Sequence, residues 1–252
     1  DAGNDRYTPI ETSLEGPDDP SWSPDGKAFA YSAVFEGTRQ VFVRYLEAAV
    51  STRLSHLAGD ANVLGWAPDG KRIFFAAKNP AGDQPPHALF SLSVTGGEPE
   101  VVTPLAVAVA FGRPIARVSP DGKVLLALRK EADGSSSLYT ASPVGGSFTR
   151  YSAAPFAIAR TSNRTSLDLS PDGKKIVVFL TNAGENQAWL LPFPPGSGTP
   201  QRFVSGDPGS SINFSWFPDS RHIVANTGSG DRCILRLLNT ADGGEKAITG
   251  GI

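Results

Sequence analysis

The sequence predicts an all-β chain, a β-propeller of four-stranded antiparallel blades with five complete repeats and an orphan outer strand. The first observation is a recurring turn, Ser-Pro-Asp-Gly or a near copy, set between a short apolar stretch and a strand of β-branched and aromatic residues. It reads SWSPDGKAFAYSA from Ser21, GWAPDGKRIFFAA from Gly65, RVSPDGKVLLALR from Arg117, DLSPDGKKIVVFL from Asp168 and SWFPDSRHIVANT from Ser215. The second is the spacing of the turn prolines, Pro24, Pro68, Pro120, Pro171 and Pro218, at intervals of 44, 52, 51 and 47 residues, a period that belongs to stacked arrays and propellers. The third is a surplus of turn formers, 27 glycines and 21 prolines in 252 residues, above average usage yet below the level of low-complexity sequence.

Each unit parses into four strands, A to D, by period-two alternation and turn signals. In the first, Ser21 to Ser23 is strand A, Lys27 to Ser32 strand B, Arg39 to Leu46 strand C and Thr52 to Leu57 strand D. The A–B turn is dictated by its chemistry: proline presets φ, aspartate bonds its own backbone, and glycine accepts a left-handed conformation. Asp25, Asp69, Asp121, Asp172 and Asp219 are accordingly structural residues. Strand C recurs as HALFSLSV from His87, SSLYTAS from Ser136, NQAWLLPF from Asn186 and RCILRLL from Arg232. A unit with two apolar faces buries them only against neighbouring units, which leads to a radial array. Trp22, Trp66 and Trp216, with Val118 and Leu169 in the same register, are expected to fill the spaces between blades.

One domain over residues 1–252 is expected, with repeats around 14–58, 59–103, 104–152, 153–205 and 206–250. Residues 1–13 resemble the strand D region of the last unit and read as the outer strand of a further blade. Two closures fit that count: a six-bladed ring with the remaining strands beyond Ile252 or absent, which is the expectation, or a five-bladed ring with a supernumerary strand. The chain has no methionine and no secretion signal at Asp1, as expected for a processed or excised portion of a longer protein.

Composition narrows the function classes. With 23 basic and 25 acidic residues and no block of like charge, the chain lacks the basic excess of a nucleic-acid-binding domain. Its longest apolar stretch, Leu105 to Phe111, is far shorter than the roughly 18 residues that a spanning helix needs, so no direct membrane insertion is expected. Cys233, the single cysteine, sits in an apolar run and reads as a buried thiol. His56, His87 and His222 fall in different blades, so no metal site or base–nucleophile pair is expected of them, and no Gly-x-Ser-x-Gly elbow occurs. Neither catalytic residues, nor a metal, nor a cofactor is assigned.

A binding surface is expected on one rim. The A–B and C–D turns are short and repetitive, whereas the B–C and D–A connections are long and irregular at Lys78 to Pro86, Pro104 to Pro114, Ser152 to Ser166 and Gly206 to Asn213. A rigid scaffold frees such loops for recognition. Phe111, Arg113, Phe156, Arg160 and Arg164 lie there, of residue types enriched at protein interfaces, and are the candidate partner-binding residues. At the start of strand A, Asp18, Asp19, Asn62, Asn163 and Asn213 are candidates for a polar ring in the central channel, suited to waters more than to a cation. Arg117 and Asp168 occupy matching positions of adjacent blades, which predicts an interblade ion pair.

Asp19-Pro20-Ser21-Trp22-Ser23-Pro24-Asp25-Gly26-Lys27 resembles the repeat of the TolB-like, or WD40-like, propeller family, and the likeness runs through five copies. Copy five departs from it at Phe217 and Ser220, and copies three and four at Val118 and Leu169. The resemblance implies a six-bladed ring and a non-catalytic role: a scaffold that binds a protein or peptide, as the sensor or interaction domain of a larger bacterial protein, in the periplasm or otherwise outside the cytoplasm. The alternative that it implies is the gating propeller of a prolyl-oligopeptidase-like or tricorn-like hydrolase.

Overall fold

A computed structural model describes residues 14–110, 113–133, 135–152, 166–182, 185–202, 213–227 and 234–247. Every described element is a strand, and twenty of the strands form five four-stranded antiparallel sheets whose order is their chain order. Blade 1 comprises β1 (Glu15–Trp22), β2 (Ala28–Phe35), β3 (Thr38–Tyr45) and β4 (Thr52–Arg53). Blade 2 comprises β5 (Asn62–Trp66), β6 (Arg72–Lys78), β7 (His87–Ser93) and β8 (Glu100–Leu105). A short ribbon, β9 (Val109–Ala110) with β10 (Arg113–Pro114), leads into blade 3, made of β11 (Ala116–Val118), β12 (Leu125–Lys130), β13 (Ser136–Ala141) and β14 (Phe148–Arg150). Blade 4 is β15 (Ser166–Leu169), β16 (Lys175–Asn182), β17 (Glu185–Pro192) and β18 (Gln201–Arg202). Blade 5 is β19 (Asn213–Trp216), β20 (His222–Thr227), β21 (Ile234–Asn239) and β22 (Glu245–Ala247).

The repeated turn is held by its own side chains. In blade 1 the Gly26 N–H donates to the Ser23 carbonyl at 2.9 Å, with Gly26 at φ +69°. Asp25 Oδ1 accepts from Ser23 Oγ at 2.7 Å and from the Lys27 N–H at 3.1 Å. Asp121 and Asp172 repeat both contacts, and Asp69, which follows Ala67 where the others follow serine, keeps only the backbone one. Copy five shows how the departure from glycine is accommodated: Ser220 takes the same left-handed conformation, φ +56°, and its hydroxyl accepts the Asp172 N–H of blade 4 at 2.9 Å. Asp219 accepts from the Arg221 and His222 N–H groups and from His222 Nδ1.

Four apolar clusters weld successive blades. Val41, Val43 and Leu54 of blade 1 pack with Trp66, Ile73 and Phe75 of blade 2; Leu64 and Leu89 pack with Val118 and Leu125; Leu126 and Leu138 with Leu169 and Ile176; Val177 and Leu190 with Trp216 and Ile223. The innermost strands touch in series, β1 on β5, β5 on β11, β11 on β15 and β15 on β19, which sets the first strand of every blade around the axis. The joint between blades 1 and 2 shows the rule: Trp66 is 3% exposed and its Nε1–H donates to the Ser21 carbonyl of the preceding blade at 2.8 Å. Trp216 and Val118 are likewise buried in their joints.

Two expectations are corrected here. Trp22 is 54% exposed and tilts against Phe29 of its own blade, ring centroids 5.5 Å apart, instead of filling an interblade space. Tryptophans in this register pack on the blade before them, and among the described residues no blade precedes the first. Strand A also begins earlier than Ser21, at Glu15. Pro17 and Pro20 are tolerated because β1 is an edge strand, and two register shifts, with Gly16 and Asp19 at φ +54° and +51°, absorb the irregularity. The orphan strand expected over residues 1–13, and Cys233, lie outside the described residues.

Candidate functional site

Strand A of every blade lines one cavity of about 820 Å³ around the axis, with Pro17 to Ser23, Val63, Leu64, Arg117, Val118, Leu167 to Leu169 and Phe214 to Trp216 on its walls. Where the D–A connections enter, blade 1 reaches past blade 2 to blade 3 through two ion pairs. Asp18 Oδ2 pairs with Arg113 Nη1, and Asp19 Oδ1 accepts from Arg117 Nη2 at 3.0 Å. Arg117 Nη1 also donates to the Val63 carbonyl of blade 2 at 3.4 Å, so a single guanidinium ties three blades. The left-handed turn at Asp19, whose N–H donates to Asp18 Oδ1 at 2.8 Å, presents the two adjacent carboxylates to two different arginines. Burial, and then the like charge of Arg117, lower the pKa of Arg113.

Asp168 is the third carboxylate of the cavity. The expected ion pair with Arg117 is absent, because Asp19 takes that guanidinium, although Arg117 remains near enough to favour the charged form of Asp168. Asp168 instead accepts the Leu169 N–H at 2.9 Å, and the backbone N–H of Trp216 in the next blade also favours its charged form. Burial outweighs these and pushes its carboxyl up to about 6. The side chain is half-buried by surface area and lines the axial cavity.

The candidate residues are thus distributed unevenly. Arg113 stands at the channel mouth in contact with Asp18, whereas Phe111, Phe156, Arg160 and Arg164 lie outside the described residues. Of the polar ring, Asp18 and Asp19 engage arginines, and Asn62 is buried with its Oδ1 unpartnered. Asn163 lies outside the described residues, and of Asn213 only the backbone, paired with Asn226, is described. Among the described residues no three His, Cys, Asp or Glu side chains converge as a metal site. Arg117 and Asp168 are channel residues that the ring of strand-start positions passed over. Three positions before the turn proline the five copies carry Ser21, Gly65, Arg117, Asp168 and Ser215, and two charges among three small residues are the signal that marks them.

No protein-family model matches the chain. An uncharacterised protein of Agrobacterium fabrum is 29% identical over 112 residues, which span 44% of this chain and 36% of that protein. The match therefore covers about a third of the relative's length. The solved structure described as TolB from Agrobacterium tumefaciens superposes with a TM-score of 0.68 at 21% identity, covering 93% of this chain and 81% of that one. TolB from Acinetobacter baumannii gives 0.64 at 18% identity, covering 91% and 51%. Five repeated blades, a shared turn chemistry and these superpositions establish a TolB-like β-propeller fold.

Proposed function

We propose that this propeller is a non-catalytic scaffold that binds a protein or peptide at the rim where the D–A connections enter the channel, as the interaction or sensor domain of a larger bacterial protein. The observation that carries this reading is the pair of charged bridges at that rim. Asp18–Arg113 and Asp19–Arg117 hold four charged groups on the inner strands β1 and β11 and on the β9–β10 ribbon, and the side chains of Asp18, Arg113 and Arg117 remain 32–37% exposed. Charges fixed in place before contact steer association and set register without a cost of ordering. Phe111, Phe156, Arg160 and Arg164 belong to the same connections in the sequence and extend the proposed contact. The TolB-like fold supports an extracytoplasmic site of action.

The test is affinity capture from a bacterial envelope extract, with the native chain and an Arg113→Glu/Arg160→Glu/Arg164→Glu variant compared side by side. Loss of a captured protein in the variant, with the far-UV spectrum unchanged, is the expected result; an identical captured set from both proteins overturns the assignment of the rim.

A further inference from the structure

The axial cavity is electrostatically incomplete. Two of its carboxylates, Asp18 and Asp19, each have an arginine, whereas Asp168 has no cation within ion-pair distance among the described residues. Asp19 Oδ2 has no hydrogen-bond partner among the described residues and lies buried in the cavity wall, where its unpaired oxygen adds to the negative potential. Much of the remaining wall is apolar, with Trp22, Leu64, Val118, Phe214 and Leu235 beside Ser21, Ser23 and Ser215.

A negative centre within apolar walls complements a cation carried on an aliphatic stem. A hard metal ion needs six or more converging oxygens, and no three metal-ligating carboxylate or imidazole groups converge among the described residues. Lysine and arginine side chains bring several N–H donors at the tip and methylenes behind it, which is the distribution that the cavity presents.

We propose that the axial cavity receives a lysine or arginine side chain of a partner polypeptide, with Asp168 as its counter-ion and the apolar walls along its stem. The inference rests on the reading of the chain as a binding scaffold and names the chemistry that its channel selects.

Isothermal titration of the purified chain at pH 7.5 and low salt, with Nα-acetyl-lysine N-methylamide, its arginine counterpart and the uncharged norleucine counterpart, tests it. The expected result is binding of both cationic probes at least about tenfold tighter than norleucine, the order of one partly desolvated ion pair, with the preference abolished in Asp168→Asn. Asparagine keeps an oxygen for the Leu169 N–H, and the lysine–norleucine comparison on the native chain needs no variant. Equal binding of lysine and norleucine, absence of binding by both cationic probes, or a preference that survives Asp168→Asn overturns the proposal, as does displacement of the lysine probe by micromolar calcium. The probes need no protein partner: failure of the capture experiment with cationic probes bound refutes the scaffold reading alone, and capture without probe binding refutes this inference alone.

Discussion

Replacing Trp66 and Trp22 in turn by alanine separates a closed blade joint from an open blade face. A tryptophan side chain presents roughly 200 Å² of surface, and at about 25 cal/mol per Å² Trp66, 3% exposed, contributes about 5 kcal/mol while Trp22, 54% exposed, contributes about 2. Trp66→Ala also removes the Nε1–H donor of the Ser21 carbonyl, adding about 1 kcal/mol. The two variants should therefore differ by about 3–4 kcal/mol, which for a chain of this size corresponds to roughly 6–16 °C in Tm. Urea unfolding followed by far-UV circular dichroism, with the slope held equal between variants, measures the difference. Equal losses for the two substitutions would refute the rule that each tryptophan in this register packs on the preceding blade.

Gly122→Ala should be costly, since φ is +71° and a Cβ there would stand 2.5 Å from Pro68 N and 2.6 Å from the Trp66 carbonyl, whereas Gly26→Ala, at φ +69° in open space, should lose only the roughly 1–2 kcal/mol of a left-handed alanine; thermal melts distinguish them. Ser170→Ala leaves the Lys175 N–H without its acceptor at 2.9 Å and should cost about 1–3 kcal/mol, with Thr restoring much of it if the methyl group fits; a full loss in both would implicate sterics instead of the hydroxyl. Asp168 titrates at about 6 in the folded chain against 3.8 for the unperturbed group, so the native state binds the extra proton between those values and stability rises as pH falls from 7 towards 4, by no more than about 3 kcal/mol. Asp168→Asn should remove that rise, and an unchanged stability–pH profile in the variant would show that the carboxylate is well solvated.

Much of the fold is legible because one turn does the punctuating. Pro24, Asp25 and Gly26 each have a separate physical role at the turn, and the alternating residues that follow define β2 and its counterparts without tertiary information. Strand A was not legible over its first half: Pro17, Asp18, Asp19 and Pro20 are strand breakers by propensity, and only the edge position of β1 and its bulges make them admissible. The exposure of Trp22 was hidden for a different reason, since register identifies equivalent positions but says nothing of whether a neighbour is there to cover them. At the channel, sequence periodicity brought Arg117 and Asp168 together as equivalent positions in adjacent blades. It did not foresee the left-handed Asp19, whose turn delivers a carboxylate to Arg117 first.

The placement of recognition on one rim is tested most directly by site-specific photocrosslinking. A benzophenone side chain at Val109, exposed on the strand paired with that of Arg113, is compared with one at Lys71 on the A–B turn face, in chains otherwise unaltered and exposed to the envelope extract. Crosslinks to a discrete partner from position 109 and none from position 71 are predicted; crosslinks confined to position 71, or equal from both faces, would contradict the account.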